Sequence, residues 1–187
     1  MGKPRKRTFG DIIAVLLIFS AVVSLAERFV FTKSSRRGVG VVQAEERGTA
    51  RSISGRVTRV SDGDTVWVSD SLGRHKVRLN RIDAPESDQP FGKESAAHLK
   101  SLIGGRDVRV EYTGTDQYGR ILGIIFLGDT DINLQMVKDG CAWHYSHFDK
   151  TPAYAAAERE ARTAKRGLWA ADNPINPHQW RKSKRGR

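Results

Sequence analysis

The sequence predicts an α+β fold, mainly β: a small Greek-key barrel of five short strands with three helices packed on it. Three observations carry this expectation. From Ile53 onward, apolar and polar residues alternate with the two-residue period of half-buried strands. The alternating runs are broken by turns rich in glycine, aspartate and proline. Between and after them lie stretches bounded by helix-start and helix-stop residues.

The first strand is ISGRVTRV from Ile53, and the second is TVWV after the turn SDGD. HKVRLNRI forms the third, with Val77, Leu79 and Ile82 toward the core, so alternation turns Arg78 to the opposite face. DAPESDQPFG then leaves β character, because two prolines force a loop. KESAAHLKSLIGG reads as a helix ending in glycines that accept positive φ. RDVRVEY and ILGIIFL are the fourth and fifth strands, joined by the turn GTDQYGR. INLQMVKDG is a short helix closed by Gly140, and a last helix begins at Pro152, with Thr151 as its cap, and runs toward Gly167. These elements delimit a domain over 53–170. Residues 32–52 read as a linker, since they mix glycine, serine and charge without periodicity.

The formal charge of +11 invites a nucleic-acid reading, but its location weakens that inference. Residues 51–172 carry 18 Lys and Arg against 17 acids, so the excess lies in the two ends. The C-terminal stretch 171–187 reads as a basic tail, either solvated or drawn to a polyanion or anionic lipid. With Cys141 as the one cysteine, no internal disulfide or cysteine-rich zinc site exists, and the GCAWHY context favours a small buried hydrophobe. At the other end, Lys3, Arg5, Lys6 and Arg7 precede fifteen uncharged residues, 12–26. A charged flank followed by an apolar run marks 1–31 as a signal peptide or an N-terminal membrane anchor. Either reading exports the domain, to the periplasm or the extracellular space.

Three polar clusters do not behave like ordinary surface: Asp62–Gly63–Asp64–Thr65, then VRLNRIDAPES with Arg78, Asp83 and Glu86, then DQYGR ending at Arg120. Phosphodiester hydrolysis needs such parts. Arginines stabilise the phosphoryl oxygens, a hard cation held by oxygen ligands polarises phosphorus, and a further carboxylate handles the water. Taken singly, each cluster is equally an Asp-Gly turn, a loop-starting aspartate or a surface ion pair. Their combination and order point to chemistry. His144 and His147 lack a third ligand for zinc, and Trp67, Trp143 and Trp169 read as packing residues.

From about Gly55 to Trp169 the sequence resembles the staphylococcal nuclease family, on SDGDT, VRLNRIDAPE, TDQYGR, GCAWHY and KRGLWA. The resemblance implies a five-stranded OB barrel with three helices and a Ca²⁺-dependent nuclease acting on DNA and RNA. It implies that Asp64, Asp83 and the Ala84 carbonyl bind Ca²⁺, with Asp62 close behind. It places Glu86 at the general-base position and Arg78 and Arg120 at the two phosphate-binding positions. Tyr118 matches a tyrosine near the bound nucleotide. Two departures stand out. Gln117 replaces a family lysine, and WHYSHF does not align with the base-stacking tyrosines, leaving Tyr145, His147 and Phe148 as substitutes. Single-stranded DNA and RNA are the expected substrates, and no protein partner is inferable. The rival expectation is a non-catalytic nucleic-acid-binding OB module tethered at the membrane.

Overall fold

The computed structural model describes residues 51–186. The leader 1–31 and the linker up to residue 50 lie outside the described residues. Strand β1 (Arg51–Asp62) already begins within the stretch expected to be linker. It is followed by β2 (Thr65–Asp70), β3 (Gly73–Leu79) and the two-residue β4 (Ile82–Asp83). After helix α1 (Gly92–Ile103) come β5 (Asp107–Thr115), β6 (Ile121–Leu127) and β7 (Thr130–Asp131). Helix α2 (Ile132–Lys138), strand β8 (Trp143–His144) and helix α3 (Pro152–Thr163) complete the family-like part. A 3₁₀ turn at Gly167–Ala170 leads toward helix α4 (Pro177–Arg185).

The sheet order is β3-β2-β1-β5-β6-β7, and a parallel β3–β6 pairing closes it into a five-stranded barrel of OB type. Closure removes the exposed edges that an open sheet would present. Alternation sends Val57, Val66, Val68, Val77, Leu79, Val110 and Ile125 inward, where all are buried. Leu99 and Ile103 of α1 and Met136 and Val137 of α2 plug the same core. Tryptophan placement divides. Trp143 and Trp169 pack edge to face at 4.4 Å, whereas Trp67 is half-buried on the outer wall under the Arg74 guanidinium.

Two sequence expectations are corrected. Thr151 takes the N-cap position of α3 without capping it; its hydroxyl donates instead to Asp149 Oδ1 at 2.8 Å. The basic stretch 171–187 is not simply a solvated tail, because residues 177–185 form α4, a fourth helix with side-chain contacts to the domain. Burial pushes the Cys141 thiol up to about 12, so at neutral pH it is a protonated, inert packing residue.

Candidate active site

The site is built on three short segments that the barrel brings together. The first is the β1–β2 hairpin, where Gly63 and Asp64 form a two-residue connection. A Cβ on Gly63 would lie 2.0 Å from Ser95 Oγ and 2.7 Å from Ala84 Cβ, so glycine lets this turn press against α1 and the segment after β4. The Asp64 amide donates to Asp62 Oδ1 at 3.0 Å, and Asp64 Oδ2 accepts the Ala84 amide at 2.8 Å. Asp62 therefore fixes the turn from within, and Asp64 ties it to the chain twenty residues on.

The second segment turns from β3 into β4. Arg81 adopts the left-handed region at φ 69, with its amide donating to Asn80 Oδ1. Asn133 of α2, fully buried, donates through Nδ2 to the Asn80 and Gly123 carbonyls, each at 2.9 Å, and pins this turn to β6. Arg78 reaches under the turn, and its Nη1 donates to the carbonyls of Leu79 and Ile82 at 2.8 and 3.0 Å. Its Nη2 lies 3.0 Å from Asp64 Oδ2 and 3.1 Å from Asp83 Oδ1. One guanidinium nitrogen thus gathers a carboxylate from the β1–β2 turn and one from β4.

Burial pushes the Asp64 carboxyl up to about 7; Arg78 and the Ala84 amide pull it down, while Asp62 and Asp83 push it further up. A buried carboxylate pair with Asp62 beside it and only oxygen donors suits a hard divalent cation. Among the described residues no three His, Cys, Asp or Glu side chains form a metal-holding group by themselves. An ion here would draw on Asp64, Asp83, the Ala84 carbonyl and water.

The third segment is the turn between β5 and β6. Asp116 Oδ1 accepts the amides of Tyr118 and Arg120, both at 2.9 Å, and Oδ2 accepts Arg120 Nε at 2.8 Å. The turn closes on Gly119 at φ 73. Arg120 lies 5.6 Å from the centre of the Tyr118 ring, and that ring is 73% exposed. Across the cleft, Phe148 is 72% exposed and meets Tyr145 edge to face at 4.7 Å.

Ten of the residues singled out in the sequence line one cleft of about 660 Å³: Asp62, Asp64, Arg78, Asp83, Ala84, Glu86, Tyr118, Arg120, Tyr145 and Phe148; His147, the other stacking candidate, is not among its lining residues. Gln117 lines it as well. His144 is buried, with its Nε2 2.8 Å from Asp149 Oδ2.

Sequence reasoning missed Arg181 and Arg185, which also line the cleft. Helix α4 is capped by Asn176, whose side chain accepts the His178 amide, and Pro177 occupies its first turn. That Asn-Pro pair was the available signal for a helix, like the Thr-Pro pair at 151–152. Arg181 donates to both Asp83 oxygens at 3.1 and 2.8 Å and to Glu86 Oε1 at 2.7 Å.

Residues 76–171 match the staphylococcal nuclease homologue family. An Escherichia coli protein named an uncharacterized endonuclease is 44% identical over 133 residues, covering 71% of this chain and 87% of that protein. A Haemophilus influenzae protein of the same name is 41% identical over 131 residues, 70% of this chain and 74% of its own length. A probable staphylococcal-like nuclease of Oryza sativa subsp. japonica is 46% identical over 112 residues, 60% of this chain and 30% of the rice protein. With the closed barrel and the cleft that gathers these acids and arginines, such similarity means that the chain belongs to the staphylococcal nuclease family and is a phosphodiester hydrolase.

Proposed function

We propose that this chain is an exported, Ca²⁺-dependent endonuclease that cuts single-stranded DNA and RNA. The observation that carries the reading is the convergence of Asp64 and Asp83 on Arg78, in a cleft that also holds Glu86 and Arg120. Nucleases of this family depend on a metal ion, and Asp64, Asp83 and the Ala84 carbonyl would hold it here. Such an ion supplies polarisation of a phosphoryl oxygen and acidification of water. Glu86 would orient the attacking water and accept its proton on a carboxylate oxygen, while Asp62 keeps the Asp64 turn in place. Arg78, fixed by two carbonyls, and Arg120, fixed by Asp116, stabilise charge on the phosphoryl oxygens.

Calcium is favoured over other divalent ions by the donor set. Two carboxylates and one carbonyl give weak affinity for a large, flexible oxygen-loving cation, which suits calcium-rich surroundings outside the cell. The charged flank and apolar run at 1–26 supply the export reading, as a cleaved signal or a membrane tether. Tyr118 and Phe148 offer exposed rings on which unpaired bases stack, each worth about 1–3 kcal/mol, with Tyr145 supporting Phe148. The outer barrel wall continues the path. In the cross-strand rows Arg59–Trp67–Lys76 and Arg56–Ser69–Arg74, four cations lie beyond the row Asp62–Thr65–Arg78 at the cleft. A phosphate backbone leaving the cleft along these rows meets positive charge and one aromatic face.

Incubating the purified chain with single-stranded DNA, with Ca²⁺ or with chelator, tests the reading. Cleavage should require Ca²⁺ and fall by at least ~10²-fold in Glu86→Ser and in Arg120→Ala. Unchanged turnover in both variants would overturn the mechanism. Ca²⁺-independent binding without any cleavage would favour the non-catalytic module.

A further inference from the structure

Helix α4 carries Arg181, Lys182, Lys184 and Arg185, and residues 173–187 contain no acid. Its attachment is polar. Of the helix only Pro177 is buried, and the contacts that hold the segment are Trp180 Nε1 to Asp88, Lys184 to Asp88, and Gln89 Nε2 to the Ile175 carbonyl. The two contacts to Asp88 are exposed and contribute little, while the bond from buried Gln89 anchors the start of the segment and leaves the helix itself held by ion pairs. The helix nevertheless delivers Arg181 to the centre of the cleft, where its fork spans Asp83 and reaches Glu86. Asp83 is 1% exposed, so this guanidinium takes much of what solvent or an ion could reach.

An ion ligated by Asp83 would need lone pairs that Arg181 already uses, and it would place two positive charges in contact. Arg181 therefore has to leave as the ion enters. The next anion available to it is the substrate itself, because the same cleft is lined by Arg78, Arg120 and Arg185. Guanidinium binds carboxylate and phosphate with the same bidentate geometry, so the exchange needs no new chemistry.

We propose that Arg181 is a third phosphate-binding arginine of this enzyme, parked on Asp83 and Glu86 in the ion-free protein and passed to the strand when cation and substrate load. This rests on the nuclease reading above. It makes two predictions of opposite sign, which a purely structural role would not produce. In Arg181→Gln, Ca²⁺ affinity of the nucleic-acid-free full chain, measured by isothermal titration, should rise about tenfold as a competing charge disappears. In the same variant at saturating Ca²⁺, KM for a fluorogenic single-stranded oligonucleotide should rise about tenfold, with kcat changed far less. Arg181→Lys, which keeps the charge but loses the fork, should lie between the two proteins in both measurements.

Circular dichroism is expected to show the same fold in all three, since the barrel core does not draw on α4. Ca²⁺ affinity that is unchanged or weaker in Arg181→Gln overturns the proposal. So does tighter Ca²⁺ binding with an unchanged KM, because the helix would then only cover the site. Neither result touches the requirement for Glu86 or for Ca²⁺, whereas cleavage that persists in chelator counts against the nuclease mechanism and not against the exchange.

Discussion

Arg78 and Arg120 do similar work in the proposed chemistry but are held in opposite ways. Arg78 belongs to the floor of the cleft: its side chain is 13% exposed, two backbone carbonyls accept its Nη1, and two carboxylates share its Nη2. Arg120 belongs to the rim, in a five-residue turn whose hydrogen bonds all run to Asp116. The floor joins the β1–β2 turn to β4, so its arginine is part of how the barrel closes. The rim is self-contained and can lose its arginine without disturbing anything beyond the turn.

The largest expected effect lies on the floor. Arg78→Gln should reduce turnover by ~10³-fold or more, because it removes both a phosphate ligand and the group that aligns Asp64 with Asp83. It should also destabilise the fold by about 3 kcal/mol, since buried Asp64 and two carbonyls lose their charged partner together while Asp83 keeps only Arg181. Urea unfolding and single-turnover cleavage measure the two losses separately. On the rim, Arg120→Ala should cut turnover by ~10²-fold while changing stability by less than about 1 kcal/mol. Equal stability losses in the two variants would erase the distinction between floor and rim.

The same contrast explains what the sequence disclosed. Cluster order together with the family resemblance pointed to Asp64, Arg78, Asp83, Glu86 and Arg120, and the structure brings them into one cleft because short strands joined by tight turns leave little freedom in how they meet. The DQYGR turn was legible by itself, since Asp116 acts on neighbours two and four residues away. Arg181 was not legible. Its partners Asp83 and Glu86 lie 98 and 95 residues earlier, and a run of cations without apolar periodicity looks like a tail. Helix α4 is placed by ion pairs and by Trp180, not by a buried stripe, so the pattern that reveals most helices is missing from it. The Thr151 cap failed for a related reason. Asp149, half-buried beside His144 and Arg81, takes the threonine hydroxyl that local rules assign to the helix.

The smallest effect sharpens the contrast from the rim side, through pH. Burial raises the Asp116 carboxyl, but the Arg120 and Tyr118 amides and the Arg120 guanidinium outweigh it and hold the group below its ordinary value. A carboxyl lowered in the folded state contributes stability that is fully present above its unfolded value of 3.8 and is lost as pH falls through the folded value. The advantage of the native chain over Asp116→Asn should therefore be constant from neutrality to about pH 5 and fade as the pH is taken below 4. Because the pair is partly exposed, solvent screening limits that advantage to at most about 1 kcal/mol. Urea unfolding of both proteins across this range checks it. A difference that stays flat to pH 3 would mean that Asp116 organises the rim as a neutral acceptor, and that Arg120 is positioned by the shape of the turn alone and not by charge.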